Sequence, residues 1–281
     1  MELYSLTVIK SLCKKYGVRP SREYGQNFLI DREVLESIVQ AADLKNNDTV
    51  LEIGPGFGVL TAELIGRAKR VVAVETDRKM AKILGEILDI PKNLEVVEKD
   101  ILKIANDELG VKNYEYKIVA NLPYQITSAV FRKFLSEEPR PEEITVMVQK
   151  EVAERICAAP GEMSLLSLSV QFYGQPEIVD IVPRRAFWPE PEVDSAIIKI
   201  SNIKNIYERN KKEIAPEKFF RLAKIGFSSR RKQLQNNLAG GLRLSNKKIK
   251  EVLVNLGFDE RVRAQDLGVD NWVKLVQALN Y

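Results

Sequence analysis

Between residues 49 and 150, short runs of apolar, β-branched residues alternate with longer stretches in which apolar positions recur at helical spacing. The short runs predict buried strands and the longer stretches predict helices. The strands are expected at 50–53, 71–75, 94–97, 117–120 and 144–148, and the helices at about 59–68, 78–88 and 126–136. Strands that alternate with helices indicate a parallel, doubly wound α/β sheet.

The remainder of the chain shows a different pattern. Further strand-like stretches follow at about 164–173, 177–182 and 193–200, and residues 201–205 have the composition of a linker. Beyond them, helical spacing recurs near 216–228, 230–238, 246–256 and 270–279, with Gly240-Gly241 and Leu256-Gly257-Phe258 as the predicted breaks. The pattern therefore predicts a large α/β domain over residues 1–203 and a small all-helical domain over residues 204–281.

The charge of the chain is unevenly divided between these parts. Residues 202–281 carry 17 lysines and arginines against 8 aspartates and glutamates, a balance of +9, whereas residues 1–201 have a balance of −5. A basic helical piece on a mildly acidic body is typical of a polyanion-binding module attached to a catalytic or ligand-binding domain. On charge alone, a solvated lysine-rich surface fits equally well.

The composition excludes several kinds of site. The chain has no histidine, which rules out a Ser-His-Asp triad, a Cys-His pair and every histidine-based metal site. Cys13 and Cys157 lie far apart in the sequence and are expected to be reduced thiols rather than a disulfide or zinc ligands. No apolar run approaches the ~18–20 residues of a membrane span, and residues 1–15 lack the apolar core of a signal peptide. We therefore expect a cytoplasmic protein that binds no metal and no membrane.

The segment Glu52-Ile53-Gly54-Pro55-Gly56-Phe57-Gly58 directly follows the first strong predicted strand. Glycines at a strand-to-helix turn let the backbone approach a ligand closely. The Gly-x-Gly-x-x-Gly pattern of a dinucleotide site is absent because its third position is Val59. The spacing, with Glu52 just upstream, instead fits a loop around the amino-acid end of S-adenosylmethionine, which carries no pyrophosphate. A glycine turn without a ligand is the alternative.

Acidic residues follow the next two predicted strands. Glu75 ends the second strand about 20 residues after the glycine loop, where a carboxylate can accept hydrogen bonds from both ribose hydroxyls of an adenosine ligand. Asp100 follows the third strand and could accept the adenine amino group, although spacing alone fits a helix N-cap equally well. Together with the glycine loop, Glu75 predicts an adenosine-containing cofactor.

Asn121-Leu122-Pro123-Tyr124, after the fourth predicted strand, is the most informative motif of the chain. An exocyclic amine of a purine is a poor nucleophile because its lone pair is delocalised into the ring. The side-chain carbonyl of Asn121 and a neighbouring backbone carbonyl can accept both amine hydrogens and favour the pyramidal, nucleophilic form. Pro123 restricts the backbone, and Tyr124 supplies a flat face on which the target base can stack. The alternative is a plain turn.

Two further segments carry aromatic or basic residues. Phe187 begins the aromatic–proline loop 187–195 and could close over the opposite face of a flipped base, although such loops more often fill the edge of a core. In the segment 219–234, aromatics lie beside a basic cluster that favours phosphate contacts with a structured RNA over a merely solvated helix face. The candidate RNA-binding residues are Arg221, Lys224, Arg230, Arg231 and Lys232.

In this order and spacing, the motifs closely resemble those of the small-subunit ribosomal RNA adenine dimethyltransferases, the KsgA family. The resemblance covers nearly the whole chain. It also includes Arg22-Glu23-Tyr24-Gly25-Gln26-Asn27-Phe28-Leu29, Met147-Val148-Gln149-Lys150-Glu151-Val152 and Ser228-Ser229-Arg230-Arg231-Lys232. It implies a Rossmann-like, S-adenosylmethionine-dependent methyltransferase domain over residues 1–203, with a cofactor-binding segment at about 1–30. Residues 204–281 would form a basic helical rRNA-binding domain.

The resemblance also assigns roles to individual residues. It implies that Asn121 and Leu122 orient the amine while Tyr124 and Phe187 sandwich the adenine. It implies cofactor binding by Gln26, Asn27, Leu29, Glu52, Gly54, Gly56, Glu75, Asp100, Ile101 and Asn121. Two positions depart from the family pattern. Arg22 stands where lysine is common, and Gln125-Ile126-Thr127-Ser128-Ala129 lacks the proline that commonly constrains the start of the following helix.

The resemblance implies dimethylation of two adjacent adenines in a hairpin loop near the 3′ end of 16S rRNA during small-subunit biogenesis. The substrate would be a late 30S assembly intermediate and the enzyme a monomer.

Three alternatives stay open. An antibiotic-resistance methyltransferase would act on 23S rRNA, but such enzymes more often have His after the Phe of the 187 loop and Ile before the Pro of the 121 motif. In a ribosome-assembly factor the binding role would dominate. A dehydrogenase is disfavoured by Val59 and by the lack of a candidate acid at a hydride-transfer site.

Overall fold

The computed structural model describes residues 2–21 and 25–279, so that Arg22, Glu23 and Tyr24 of the N-terminal motif lie outside the described residues. Contacts divide the chain into two compact units, Met1–Ala153 with Pro176–Asn202, and Glu154–Gln175 with Ile203–Tyr281. Residues 154–175 thus group with the C-terminal helices. The roles assigned to the two predicted domains stay predictions. Within the described ranges, no helix is both long and apolar enough to cross a membrane.

The first unit is built on a mixed sheet. Its strands are β1 (Phe28–Leu29), β2 (Thr49–Ile53), β3 (Arg70–Glu75), β4 (Leu94–Glu98), β5 (Lys117–Asn121), β6 (Glu143–Gln149), β7 (Gln175–Val182), β8 (Phe187–Trp188) and β9 (Ser195–Ser201). Seven of them form one sheet in the order β4-β3-β2-β5-β6-β9-β7, and β1 pairs with β8. Strands β2 to β6 run parallel, but β9 is antiparallel to β6. The seven predicted strands that correspond to this sheet are confirmed, and β9 makes the sheet mixed rather than wholly parallel.

The helices of the first unit cover the sheet with apolar faces. They are α1 (Leu6–Tyr16), α2 (Arg32–Ala42), α3 (Val59–Ile65), α4 (Arg78–Leu88), α5 (Thr127–Ser136) and the start of α6 (Lys150–Ile156). The predicted helices α3, α4 and α5 are confirmed, while α1 and α2 were not predicted. In α4, the Asp77 side chain caps the helix by accepting from the Lys79 and Met80 N–H groups at 2.8 and 3.2 Å.

The strand order leaves a crevice at one edge of the sheet. Strand β2 lies between β3 and β5, so the chain moves outward in one direction from β2 to β4 and in the other from β5 to β6. At such a switch point, the loops that follow the carboxyl ends of the strands diverge, and ligands of open α/β sheets bind there. The ends of β2 and β5 therefore mark the expected site.

The second unit is helical. It contains α7 (Leu165–Gln171), α8 (Ile203–Glu213), α9 (Pro216–Gly226), α10 (Leu234–Leu242), α11 (Asn246–Asn255) and α12 (Val269–Ala278). The prediction of a strand at 164–173 is wrong because α7 occupies this segment. Its serines bond to the helix backbone, since Ser164 Oγ accepts from the Ser167 N–H at 3.2 Å and the Ser169 hydroxyl donates to the Leu166 carbonyl at 2.8 Å. The alternation of serine with apolar residues imitates the two-residue period of a strand.

Two other boundaries in this unit differ from the prediction. The expected linker at 201–205 is mostly helix, because α8 begins at Ile203 and buries Ile206 and Tyr207. The helix predicted at 230–238 instead begins at Leu234 and runs through the predicted break at Gly240-Gly241. A Cβ atom at Gly241 would lie 2.3 Å from Ile225 Cγ2, so this glycine lets α9 and α10 approach closely.

Aromatic rings fill the core of the second unit. Phe172, just after α7, lies with its ring centroid 4.4 Å from that of Phe219 and 5.2 Å from that of Phe220. Its carbonyl accepts a hydrogen bond of 2.6 Å from the buried Asn210 side chain of α8. The segment 154–175 is therefore an integral part of the helical core.

A buried lysine ties α2 to the amino ends of the strands, on the side of the sheet away from the crevice. Lys117 Nζ lies 3.1 Å from Asp48 Oδ2, and it donates to the Asp43 carbonyl at 3.0 Å. The lysine side chain is only 10% exposed. Its charge satisfies a carbonyl at the C-terminal end of α2, where cations are favoured.

We expect Lys117→Met to lower the free energy of unfolding by about 3 kcal/mol, because the substitution leaves Asp48 and the helix carbonyls without their cation in a sheltered site. Urea denaturation followed by circular dichroism measures the change. The matched control is Lys112→Met, whose side chain is 79% exposed and whose effect should stay within about 0.5 kcal/mol. Equal stabilities of the two variants would contradict this role.

Candidate active site

A cavity of about 310 Å³ lies in the crevice at the carboxyl ends of the strands. This volume is at the lower end of the range for small-ligand sites. All ten residues predicted to bind the cofactor line it: Gln26, Asn27, Leu29, Glu52, Gly54, Gly56, Glu75, Asp100, Ile101 and Asn121. The structure thus brings together residues from the N-terminal segment, β2, β3, the loop after β4 and the end of β5.

The glycine loop after β2 needs its glycines for different reasons. Gly54, Gly56 and Gly58 all have left-handed backbone conformations, with φ of 69°, 57° and 83°. A Cβ at Gly56 would lie 3.3 Å from the Phe28 ring, so a side chain there would crowd the wall of the cavity. Gly58 does not line the cavity, and a Cβ there would lie 2.7 Å from Leu84 Cδ1. The first two glycines therefore shape the cavity, whereas the third serves the packing of α3 against α4.

Glu75 connects the glycine loop to the turn after β3. Its Oε2 accepts a hydrogen bond from the Gly56 N–H at 3.3 Å, and its Oε1 accepts one from the Asp77 N–H at 3.0 Å. Burial raises the pKa of this carboxyl, and the backbone hydrogen bonds act in the opposite direction. A carboxylate has about four lone-pair positions, so Glu75 can accept a further bond from a ligand in the cavity.

Glu52 is a second buried carboxyl group on the cavity wall. It is 1% exposed, and burial raises its pKa to about 8, with the nearby Glu75 acting in the same direction. The Thr61 hydroxyl is close enough to lower this pKa, but neither its oxygen nor Glu52 Oε2 has a well-oriented hydrogen-bond partner among the described residues. Burial therefore favours the protonated form of Glu52 at neutral pH.

Asp100 caps a turn and also lines the cavity. Its Oδ1 accepts from the Leu102 N–H at 3.0 Å and so caps the following turn. It also lines the cavity, together with Ile101, which is 5% exposed. Its Oδ2 forms a long, exposed ion pair of 3.5 Å with Lys103. The carboxylate can therefore accept a further hydrogen bond at the cavity.

The N-terminal segment closes the cavity from the side of β5. The Asn27 carbonyl accepts a hydrogen bond of 3.3 Å from Asn121 Nδ2, and Gln26 Oε1 accepts from the Ser21 N–H at 2.9 Å. Leu29 is buried in the short ladder with β8. Because the amide nitrogen of Asn121 donates to the Asn27 carbonyl, the Asn121 side chain presents its carbonyl oxygen Oδ1 as an acceptor.

Of the four residues predicted to contact the target base, Asn121 lines the cavity, whereas Leu122, Tyr124 and Phe187 do not. Tyr124 is half-buried, and its hydroxyl lies 2.7 Å from Ser195 Oγ. Leu122 is 1% exposed, and its N–H donates to the Met147 carbonyl at 3.2 Å. Phe187 is 2% exposed and packs in the apolar cluster that contains Leu29. Its burial is what the core-edge alternative predicts.

The predicted RNA-binding residues all lie in the second unit and are exposed. Arg221 and Lys224 are three positions apart on α9 and so share a face of that helix. Arg230, Arg231 and Lys232 lie in the turn between α9 and α10, rather than in a helix as predicted.

Phe28, Phe57 and Gln125 also line the cavity, and the sequence analysis gave none of them a role. The ring centroids of Phe28 and Phe57 lie 4.7 Å apart, and the Phe28 ring lies against Gly56 of the glycine loop. Phe28 and Phe57 lie within motifs and Gln125 directly follows one, but only the folded chain shows that they face the cavity.

The cavity fits an adenosine ligand with a charged amino-acid end. The backbone around Gly54 and Gly56 leaves room where side chains would intrude, and Glu75 and Asp100 offer acceptors for hydroxyl and amino groups. Neither the glycine loop nor the part of the cavity lined by Glu75 and Asp100 is suited to a pyrophosphate. Among the described residues, no group of three or more acidic or cysteine side chains could hold a metal ion.

We expect Glu52→Gln to flatten the pH dependence of stability. The folded protein keeps a proton on Glu52 up to about pH 8, whereas the unfolded chain releases it near the ordinary value of 4.5. Between these values the unfolded state binds fewer protons, so stability falls as pH rises, by up to about 1.4 kcal/mol per pH unit for one proton. Urea denaturation of wild type and variant at pH 5.5, 6.5 and 7.5 measures the slopes.

Glu86→Gln, an exposed change on α4, is the control and should keep the wild-type slope. If Glu52→Gln also keeps that slope, Glu52 is ionised in the folded protein at neutral pH.

Comparison with known proteins identifies relatives over nearly the full length. The chain is 47% identical over 266 residues to Ribosomal RNA small subunit methyltransferase A of Dehalococcoides mccartyi (strain ATCC BAA-2100), covering 95% of this chain and 90% of that protein. The protein of the same name from Clostridioides difficile (strain 630) is 40% identical over 285 residues, covering 99% and 97%.

Two solved structures share the fold. A dimethyladenosine transferase from Plasmodium falciparum has a TM-score of 0.75 at 29% identity, covering 90% of this chain and 97% of that chain. The 23S rRNA methyltransferase ErmE has a TM-score of 0.69 at 30% identity, covering 91% and 100%. A family model described as Ribosomal RNA adenine dimethylase matches residues 18–280. The chain therefore belongs to the ribosomal RNA adenine dimethylase family of Rossmann-like methyltransferases, whose cofactor is S-adenosylmethionine.

Proposed function

We propose that this enzyme transfers two methyl groups to the exocyclic amine of each of two adjacent adenines in the 3′-terminal hairpin loop of 16S rRNA, during biogenesis of the small subunit. The observation that carries the proposal is the orientation of Asn121 beside the cofactor cavity: its amide nitrogen donates to Asn27, and its carbonyl oxygen accepts no hydrogen bond from the described residues. The names of the curated relatives, small-subunit methyltransferases at 40–47% identity, support the choice of subunit.

The cofactor determines what the protein has to do. When bound, S-adenosylmethionine supplies a methyl group that is attached to a positively charged sulfur and can be transferred to a neutral amine. The chain therefore has to bind the cofactor, orient the amine and exclude competing nucleophiles. Glu75 would accept from the ribose, Asp100 from the adenine amino group, and the loop at Gly54 and Gly56 would surround the amino-acid end.

The target amine is activated by acceptors rather than by a strong base. Asn121 Oδ1 and the carbonyl of Leu122 would accept its two hydrogens and draw the nitrogen toward a pyramidal geometry. The Tyr124 ring would stack on the adenine and hold it in place. Activation by acceptors needs no strong base and is therefore compatible with a chain that has no histidine.

Phe187 would contact the opposite face of the base. Its ring is 2% exposed, and β8 pairs with β1 through Leu29 and Phe187. The ladder between β1 and β8 therefore has to open, or the ring has to rotate outward, before Phe187 reaches a flipped adenine.

The RNA is held by the basic helical unit. The balance of +9 over residues 202–281 favours a polyanion, and Arg221, Lys224, Arg230, Arg231 and Lys232 would contact phosphates. We further propose that the enzyme acts as a monomer. Its substrate would be a 30S assembly intermediate in the cytoplasm.

We expect methyl transfer from labelled cofactor to undermethylated 30S particles and none to naked 23S rRNA. The similarity to ErmE makes 23S rRNA the second candidate substrate. Both RNAs are offered under the same salt conditions, because phosphate contacts make RNA affinity salt-dependent. The modified positions are then mapped by mass spectrometry of RNase digests. Incorporation into 23S rRNA alone would show that the assignment to the small subunit is wrong.

We expect Asn121→Ala to lower the rate of methyl transfer at least about 100-fold, as loss of a positioned hydrogen-bonding group at a reacting centre does. Binding to 30S particles should remain at the wild-type level, because phosphate contacts supply most of the affinity. The control is Asn47→Ala, an exposed position before β2, which should keep full activity. Wild-type turnover by Asn121→Ala would refute the role of this side chain.

The same variant separates an enzyme from a ribosome-assembly factor whose binding role dominates. In a strain that lacks the gene, Asn121→Ala should fail to restore dimethyladenosine in rRNA. Restoration of normal subunit assembly by this inactive variant would show that binding is the dominant role.

A further inference from the structure

We propose that Ser195 is a positioning residue of this enzyme: its hydroxyl holds the phenol of Tyr124 and so fixes the face on which the target adenine stacks. The inference rests on the proposed function, from which it takes the stacking role of Tyr124. Ser195 does not line the cofactor cavity, and no cofactor or base contact was predicted for it.

The contact between the two hydroxyl groups is short and sheltered from solvent. The Tyr124 oxygen lies 2.7 Å from Ser195 Oγ, within the range of good O–H···O hydrogen bonds. Ser195 is 0% exposed. Burial raises the pKa of Tyr124 above its ordinary value of 10, and the bond to Ser195 acts in the opposite direction. The phenol therefore keeps its proton at neutral pH, so that one hydroxyl donates and the other accepts.

Ser195 is held firmly by the sheet. It is the first residue of β9 and lies opposite Gln149 at the end of β6. Both polar groups of the preceding Asp194 are bonded, since its carbonyl accepts from the Lys150 N–H at 3.0 Å and its carboxylate from the Arg184 N–H at 2.9 Å. The Ser195 hydroxyl is therefore presented from a well-restrained backbone.

The backbone of the Asn121–Tyr124 motif is held by hydrogen bonds that do not fix the tyrosine ring. The Leu122 N–H donates to the Met147 carbonyl at 3.2 Å, and the Ile126 N–H donates to the Pro123 carbonyl at 3.1 Å. These bonds leave the ring of Tyr124 able to swing about its Cα–Cβ bond. The bond to Ser195 restricts this freedom at the tip of the ring and does not itself occupy a ring face.

Ring position matters more for the rate than for the affinity. Methyl transfer needs the two reacting atoms about 3–3.5 Å apart and aligned, so a small tilt of the stacking face displaces the amine from its productive position. Affinity for RNA comes mainly from phosphate contacts in a basic protein. Loss of the Ser195 bond should therefore lower kcat and leave KM for the RNA and Kd for the cofactor almost unchanged.

The test is a double-mutant cycle on methyl transfer to undermethylated 30S particles. Ser195→Ala and Tyr124→Phe remove the same bond from its two ends, and Tyr124→Phe keeps the stacking ring. Each should lower kcat about 10-fold, with KM for the particle and Kd for S-adenosylmethionine, from isothermal titration, within about 2-fold of wild type. The double variant should be no slower than either single variant, because one bond can be lost only once.

Three outcomes would overturn the inference. The first is unchanged kcat for Ser195→Ala. The second is a double variant whose loss is the product of the two single losses, about 100-fold, since the hydroxyls would then act independently. The third is a loss of cofactor affinity or thermal stability that accounts for the whole loss of activity, which would make the role of Ser195 merely structural.

Ser167→Ala is the matched control, because Ser167 is also a fully buried serine with hydrogen bonds, but it lies at the start of α7. It should reduce stability and leave kcat unchanged. Failure of the proposed function can be distinguished from failure of the role of Ser195, because the wild-type enzyme would then not methylate the particles at all. Wild-type activity combined with full activity of Ser195→Ala refutes the role of Ser195 alone.

Discussion

The arrangement of the cavity depends on the hydrogen bonds that the buried carboxylate of Glu75 accepts. It accepts one backbone N–H from the glycine loop after β2 and one from the turn after β3, and so it sets the separation of the two loops that diverge at the switch point of the sheet. Left-handed conformations at Gly54 and Gly56 make the first of these contacts possible. Loss of the carboxylate would leave a partly buried N–H donor unpaired in each loop. A single side chain thus organises the protein part of the site and offers its remaining lone pairs to the ligand.

The electrostatics of the site suit a cofactor that brings its own positive charge. Two carboxyl groups, Glu52 and Glu75, lie in the same wall, and burial raises the pKa of both. Because the two carboxyl groups are close together, negative charges on both would repel each other. The sulfonium and ammonium groups of the cofactor would stabilise these negative charges. The amine side of the site contains acceptors and aromatic rings but no strong base. The chemistry is therefore one of positioning, with the reactivity supplied by the cofactor.

The sequence was sufficient wherever a local pattern determines the structure. The buried parallel strands and the residues that follow them could be predicted, because strand ends meet at one edge of a parallel sheet. Helix α7 was missed because Ser164, Ser167 and Ser169 imitate strand alternation, and only their bonds to the backbone show a helix. The burial of Phe187, the contact of Tyr124 with Ser195 and the packing role of Gly58 depend on residues far apart in the sequence. No local pattern could reveal them.

The interrupted course of the second unit has a consequence for how this protein can be divided. The chain enters the helical unit at Glu154, leaves it at Gln175 and enters it again at Ile203. A truncation after Asn202 would keep Phe172 but remove Phe219 and Phe220, whose rings surround it. The shortened chain would expose a cluster of aromatic residues and invite aggregation. Moving the helical unit to another protein would require two separate chain segments to be transferred together. The unit therefore cannot be exchanged like a domain appended at a terminus.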